Sequence, residues 1–193
     1  LTAYILFLTF LLGTCLGSFS ACLASRLLTG ESALYGRSHC DSCGHVLGAA
    51  DLVPLFSWLI LRGRCRYCGA KVPAECFATE LLAGIGCCLM VFRYDISVLS
   101  LRGILLGAIL LTMSLTDLHR YIIPDRLQLA GCLVFLVTAW FLPDPLHGIL
   151  HGLLLGTALG GGMLLLSLLF DKLTGKESLG GGDIKLFFMT GLY

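Results

Sequence analysis

The chain is 193 residues long, 57% apolar and only 13% charged, with 13 basic and 12 acidic side chains and a formal net charge of +1. Soluble domains carry about 25% charged residues, so the composition counts against a soluble enzyme, a disordered chain and a nucleic-acid binder, which would need a basic excess. With a mean hydropathy of +0.91, the working class is a multi-span membrane protein.

A spanning helix needs about 20 mostly apolar residues. The segment 1–28 supplies the first, with its first charge at Arg26. It lacks a basic start and outruns the apolar stretch of a signal peptide, so it reads as a span, with Cys22 a helix residue within it. Further spans are predicted over Phe77–Phe92, Leu99–Thr116, Ile122–Leu142 and Leu146–Phe170. A sixth begins at Ile184 and meets the chain end at Tyr193, so further residues are expected after it. The triplet Gly160-Gly161-Gly162 lies inside the fifth span, where small residues let helices approach.

Lys and Arg beside alternate loops set the orientation. Eleven of the 13 basic residues fall on one side: Arg26, Arg37, Arg62, Arg64, Arg66, Lys71, Arg120, Arg126, Lys172, Lys176 and Lys185. Only Arg93 and Arg102 fall on the other. The crowded side is predicted to be cytoplasmic, with the N-terminus outside.

Residues 29–76 form the sizeable extramembrane loop. It contains Cys40-Asp41-Ser42-Cys43-Gly44 and Cys65-Arg66-Tyr67-Cys68-Gly69. Two Cys-x-x-Cys knuckles, each followed by a glycine that permits a tight turn, match a closed four-thiolate zinc site. Cytoplasmic thiols stay reduced, which favours metal over disulfides. A loop this short builds little core, so zinc would supply folding energy. His39 and His45 flank the first knuckle as substitute ligands. Between the knuckles, Val53-Pro54-Leu55-Phe56-Ser57-Trp58-Leu59-Ile60-Leu61 is too apolar for an ordinary surface loop. It is expected to dock on the membrane interface, on the helices or on a substrate, and Trp58 suits an interface. The fold expected is therefore an all-α polytopic bundle of at least six spans with a small zinc-bound cytoplasmic loop. Its divisions are a first helix (1–28), the zinc loop (29–76) and a membrane core (77–193).

Carboxylates at the membrane ends of helices are costly and often functional. Asp117 closes the third span, Asp125 follows in Ile122-Ile123-Pro124-Asp125, and Asp183 opens the sixth in Gly180-Gly181-Gly182-Asp183-Ile184-Lys185. By the topology above, all three lie at cytoplasmic helix ends. Two carboxylates brought together by different helices share a proton. One can then take a proton from water while the other polarises a scissile carbonyl, the chemistry of an aspartic protease. Gly180–Gly182 would leave room for a substrate backbone and permit a non-helical approach to the second acid. The plainer reading is that these acids mark the interface or cap helices. Capping is preferred for Asp125, whereas the glycine run beside Asp183 and the counterpart acid at Asp117 favour catalysis for that pair, which spacing alone would leave evenly divided.

Taken together, these motifs resemble the bacterial prepilin peptidases, the bifunctional leader peptidases and N-methyltransferases of type IV pili and type II secretion. Gly17-Ser18-Phe19 with Arg26 is similar to the motif ending the family's first helix. Arg37-Ser38 with the first knuckle, Pro54-Leu55-Phe56-Ser57-Trp58-Leu59, and Leu61-Arg62-Gly63-Arg64-Cys65 are similar to its cytoplasmic zinc loop. Glu80-Leu81-Leu82 resembles the start of its second helix. Asp117 to Leu127 and Gly180 to Lys185 resemble its two aspartate motifs.

The resemblance implies an aspartic endopeptidase in the bacterial inner membrane, with Asp117 and Asp183 catalytic. Gly180, Gly181, Gly182 and Lys185 would support the substrate and loop, and Cys40, Cys43, Cys65 and Cys68 would hold zinc. Prepilin and pseudopilin precursors would be cut after the glycine ending a basic leader, and the new N-terminal residue methylated with S-adenosyl-L-methionine. Partners would be these precursors, the lipid bilayer and the pilus or secretion machinery, with no nucleic acid. Basic leaders could pair with Glu31, Asp41, Asp51 or Glu75.

Two positions depart from the family's pattern: Ala21, where it carries Asn, and Glu75-Cys76-Phe77, where it carries Arg-Tyr-Pro. Three rivals share part of the set. A presenilin or signal-peptide-peptidase type of Gly-x-Gly-Asp protease has the acid pair, but the four-cysteine loop and the Ile-Pro-Asp motif argue against it. A non-enzymatic zinc-bound scaffold would tolerate Asn at both aspartates. A thiol oxidoreductase would need its cysteines on the oxidising side.

Overall fold

A computed structural model describes residues 2–32, 35–175 and 179–193. Lys176, one of the predicted cytoplasmic cations, lies outside them, as does Leu1. The described residues form α-helices: α1 (Thr2–Thr29), α2 (Phe56–Ile60), α3 (Ala74–Tyr94), α4 (Val98–Arg120), α5 (Asp125–Ala139), α6 (Pro145–Thr174) and α7 (Gly181–Gly191). The chain divides into two compact units, Leu1–Arg120 and Tyr121–Tyr193.

Among the described residues, α1, α3, α4 and α6 are long and apolar enough to cross a membrane. Large apolar side chains on these helices stay exposed, among them Phe7 and Leu12 on α1, Leu89 and Phe92 on α3, and Leu154, Leu165 and Phe170 on α6. Such surfaces suit lipid rather than water. The other two predicted spans are shorter helices. Ile122–Leu142 becomes the 15-residue α5, about 22 Å long at 1.5 Å per residue against a hydrocarbon core of about 30 Å. Its first predicted residues are not helical because Pro124 disfavours helical backbone in the residue before it, and α5 starts immediately after that proline. The sixth is the 11-residue α7.

In the first unit, α1 and α3 run antiparallel at close range. A Cβ at Gly17 would lie 2.7 Å from Glu80 Cα, and one at Gly13 would lie 2.8 Å from Gly84 Cα. Ser20 Oγ donates to Ala108 O of α4 at 3.4 Å, and Cys88 Sγ of α3 donates to Leu6 O at 3.3 Å. His119 Nε2, in the last turn of α4, lies 2.9 Å from Glu75 Oε2, in the first turn of α3. The C-terminal end of α4, with Asp117, therefore lies at the same end of this unit as the start of α3.

In the second unit, Pro145 starts α6 at a position where its missing N–H costs nothing, and Gly175 ends it with φ +66°. Gly152, Gly156 and Gly160 are buried on one stripe of α6. A Cβ at Gly156 would meet Phe188 O of α7 at 2.9 Å, and one at Gly160 would meet Phe188 Cβ at 2.9 Å. Gly161 and Gly162, the rest of the triplet singled out in the sequence, face open space. The 3.6-residue period puts positions i, i+4 and i+8 on one face, so the packing seam is this stripe and not the run of three. Gly156→Leu is accordingly expected to cost about 1–3 kcal/mol by overpacking, and Gly161→Leu close to nothing. Thermal unfolding of the two variants in one detergent checks the difference.

Candidate functional site

The two cysteine knuckles fold alike. In the first, Gly44 N donates to Cys40 O at 2.8 Å, Cys40 N to His45 O at 3.0 Å, and His39 pairs with Val46 across the turn. In the second, Gly69 N donates to Cys65 O at 3.0 Å, Cys65 N to Ala70 O at 2.8 Å, and Arg64 pairs with Lys71. Gly44 and Gly69 turn the chain at φ +69° and +71°, a left-handed conformation that favours glycine. The repeated turn aims both thiols of each knuckle at one point.

The sulfurs of Cys40, Cys43, Cys65 and Cys68 all lie within 4.8 Å of one another, and Cys40 and Cys68 are 3.9 Å apart. A tetrahedral zinc with bonds of about 2.3 Å separates its sulfurs by about 3.8 Å. The spacing therefore fits a metal and is far from the ~2.05 Å of a disulfide; all four cysteines are free. The backbone N–H groups of Cys43 and Ser42, chiefly, lower the Cys40 thiol to about 7. At Cys68 the Ala70 N–H pulls downward, but desolvation and the neighbouring thiols prevail and raise it to about 11. Crowded thiols that cannot all ionise alone are the donor set a divalent cation would stabilise.

The histidines flanking the first knuckle are placed otherwise. His45 lies against Tyr67 with ring centroids 3.6 Å apart, and His39 Nε2 lies 3.9 Å from Glu31 Oε1. Asp51, in a 3₁₀ turn over Ala49–Asp51, binds the second knuckle to the intervening loop. It accepts from Arg66 Nε at 2.7 Å, Tyr67 Oη at 3.1 Å and Gly48 N at 3.1 Å. The Arg66 guanidinium holds the Asp51 carboxyl below its usual range. With its side chain only 6% exposed, Asp51 is not free to receive a basic leader.

The apolar stretch between the knuckles forms α2 and docks partly on α3. Trp58 packs on Phe77 with centroids 5.0 Å apart. Leu55 N donates to the buried Glu80 Oε2 at 2.6 Å, with Leu55 itself at φ 61°. Glu80, which sequence reasoning treated only as part of a motif, thus ties the metal loop to a spanning helix. An isolated acid within a spanning helix gives no signal of such a partner 25 residues away. Glu80→Ala is expected to cost about 1.5–3 kcal/mol through the lost charged hydrogen bond and the orphaned Leu55 N–H, and Glu80→Gln markedly less. A red shift of Trp58 emission, read in a Trp140→Phe background, would report the loosened loop.

Asp117 lies exposed in the last turn of α4, in the first unit, and Asp183 lies half-buried in the first turn of α7, in the second. Around Asp183, Gly180 O accepts from Asp183 N at 3.1 Å, and Gly182 O accepts from Gln128 Nε2 at 2.9 Å. Gln128 is buried in α5, so a satisfied polar side chain fixes the glycine run at its last carbonyl. A Cβ at Gly182 would also touch Ile123 Cβ at 3.4 Å. Lys185 Nζ donates to Asp125 Oδ1 at 2.7 Å, so Asp125 is an ion-pair partner for the candidate support residue Lys185. Both side chains are more than half exposed, and such a pair adds at most about 1 kcal/mol. Its part is positional, joining the starts of α5 and α7.

Residues 11–94 match the family described as the bacterial peptidase A24 N-terminal domain, and residues 104–193 match the type IV leader peptidase family. The prepilin leader peptidase/N-methyltransferase of Bacillus subtilis is 32% identical over 182 residues, 94% of this chain and 71% of that protein. The chain belongs to the type IV leader peptidase family.

The proteins of the same name from Myxococcus xanthus and Aeromonas hydrophila are 31% and 35% identical, over 95% and 81% of this chain. The chain spans 54% and 53% of their lengths, about half. No solved structure gives a significant match. Within this family frame, the departure at Glu75 has a local counterpart, since its carboxylate meets His119 two residues beyond Asp117.

Proposed function

We propose that this chain forms an aspartic endopeptidase that removes the leader from prepilin or pseudopilin precursors, with Asp117 and Asp183 as its acid pair. The observation that carries the reading is the match over 104–193, which takes in both aspartates in their order. In this chemistry one carboxylate removes a proton from water while its partner polarises the scissile carbonyl. Gly180–Gly182 give the substrate backbone room beside Asp183, and Gln128 and Lys185 hold that segment in place.

Residues 29–76 act as the metal-binding loop and 77–193 as the peptidase core, with α5 and α7 completing a six-span bundle. The four-thiolate donor set favours zinc, and a closed tetrahedral set leaves no open position, so the metal is structural. The loop and both aspartates face the cytoplasm by the basic-residue count, in the inner membrane and with the N-terminus outside. Methylation of the new N-terminal residue rests on the family resemblance. The pilus or secretion machinery would receive the product.

The test is cleavage of a precursor with a basic leader by the full-length protein in detergent, followed by the mass of the new N-terminus with and without S-adenosyl-L-methionine. Cleavage after the leader glycine is expected. An intact precursor with well-folded, zinc-loaded enzyme would refute the reading.

A further inference from the structure

A basic cavity of about 380 Å³ opens beside the metal loop, lined by Trp58, Arg62, Arg64, Lys71, Pro73 and Ala74 among others. Its three cations come from the second knuckle and its approach, and none makes an ion pair among the described residues. Arg64 and Lys71 pair directly across the knuckle ribbon. That register puts two exposed like charges on one face at close range, an unfavourable pairing that a bound anion would relieve. No carboxylate lines the cavity. In its wall the indole Nε1 of Trp58 is buried and has no hydrogen-bond partner among the described residues.

The cavity's place in the fold indicates which anion it takes. Pro73 and Ala74 are the N-cap and first residue of α3, one of the helices able to span a membrane. The cavity therefore lies at the end of a span, beside the positive N-terminal end of that helix. Next to it, α2 exposes Phe56, Leu59 and Ile60, the last at 75%. An apolar face beside a cationic cavity at a helix end is the pairing that seats a segment in a charged membrane surface.

We propose that this cavity binds the phosphate-bearing headgroup of an anionic phospholipid, with Arg62, Arg64 and Lys71 around the phosphate and the exposed face of α2 among the upper acyl chains. Bound in this way, the lipid fixes the height of the metal loop at the membrane surface. The proposal is independent of proteolysis, so its failure leaves the peptidase reading untouched.

The test uses the full-length protein carrying Trp140→Phe, reconstituted in phosphatidylcholine vesicles doped with either phosphatidylglycerol or phosphatidylcholine bearing brominated chains. The two tryptophans of this chain are Trp58 and Trp140, so quenching of this chain's indole emission reads the cavity directly. Any tryptophan beyond these residues is removed likewise. Brominated phosphatidylglycerol is expected to quench Trp58 in marked preference to brominated phosphatidylcholine. Each cation near a membrane surface contributes about a fivefold preference. The triple variant Arg62→Gln, Arg64→Gln, Lys71→Gln should therefore lower the preference by about a hundredfold. The charge-keeping variant Arg62→Lys, Arg64→Lys, Lys71→Arg should retain it, with one metal ion per chain confirming an intact loop in both. Equal quenching by the two lipids, or a preference that survives the triple Gln variant, overturns the proposal. So does its abolition by millimolar inorganic phosphate, which would make this a free-phosphate site. Displacement of the lipid by polyglutamate would reassign the cavity to an acidic polypeptide and overturn it as well.

Discussion

Asp183→Asn is expected to lower precursor cleavage by roughly 10²–10⁴-fold, and Asp117→Asn by a similar factor, the range for loss of a positioned acid or base. Asn keeps the size and polarity of Asp but can neither accept the proton from water nor donate one to the carbonyl. The fold should withstand both changes. Asp183 donates its backbone N–H to Gly180 O, while Gln128 and Lys185 hold the surrounding segment through other atoms. Groups that act as one unit are not additive, so the double variant should be about as inactive as either single one. Initial rates on one precursor, with circular dichroism as the control for folding, decide this. A double variant slower than either single by the product of their factors would mean that the two acids act independently and that the shared-pair chemistry is wrong. A single variant with the parent rate would remove that aspartate from the mechanism.

Removing the metal is expected to undo the loop. Cys65 is the most buried of the four thiols, and Cys65→Ala should abolish tight metal retention and melt the loop while the spanning helices persist. A structural zinc contributes on the order of 10–16 kcal/mol of apparent binding energy, beyond what a loop of this size can replace by burial. Limited proteolysis between residues 35 and 73, with metal content measured on the same sample, reads both effects.

The pH dependence follows from proton competition. Without metal, the Cys40 thiol titrates near 7 and the Cys68 thiol near 11. Cys40, depressed below its ordinary 9.0, contributes stability that is present above that value and lost as pH falls through about 7. Cys68, raised above its ordinary 9.0, contributes in the metal-free loop below that value and loses it as pH rises through about 11. Metal binding requires both as thiolates, so loading releases protons and retention must weaken as pH falls. Metal release on raising the pH from neutral to mildly alkaline would contradict thiolate ligation.

Much of this is legible in the sequence. The knuckles announced themselves because a metal site made of two short turns needs only local spacing and a glycine after each pair. The spans α1, α3, α4 and α6 were legible because 20 apolar residues have few other uses. By the same rule Ile122–Leu142 and the segment after Ile184 read as spans, yet they fold as the shorter helices α5 and α7, since hydropathy measures composition and cannot see that Pro124 delays a helix. The glycine triplet drew attention as a run, yet packing selects by face, and Gly152, Gly156 and Gly160 carry the seam.

The sequence by itself determined the membrane class, the four-cysteine centre and the ordered aspartate motifs, because each rests on composition or short-range spacing. Only the tertiary structure decided what Glu80, Asp51 and Gln128 do, and which basic residues gather around one cavity. Those roles depend on contacts between residues far apart in the chain, such as Leu55 with Glu80 and Gln128 with Gly182. The charge arithmetic counted Arg62, Arg64 and Lys71 only as a bias toward one side of a membrane. The fold gathers them around a single cavity at the start of a span, the site proposed for an anionic headgroup.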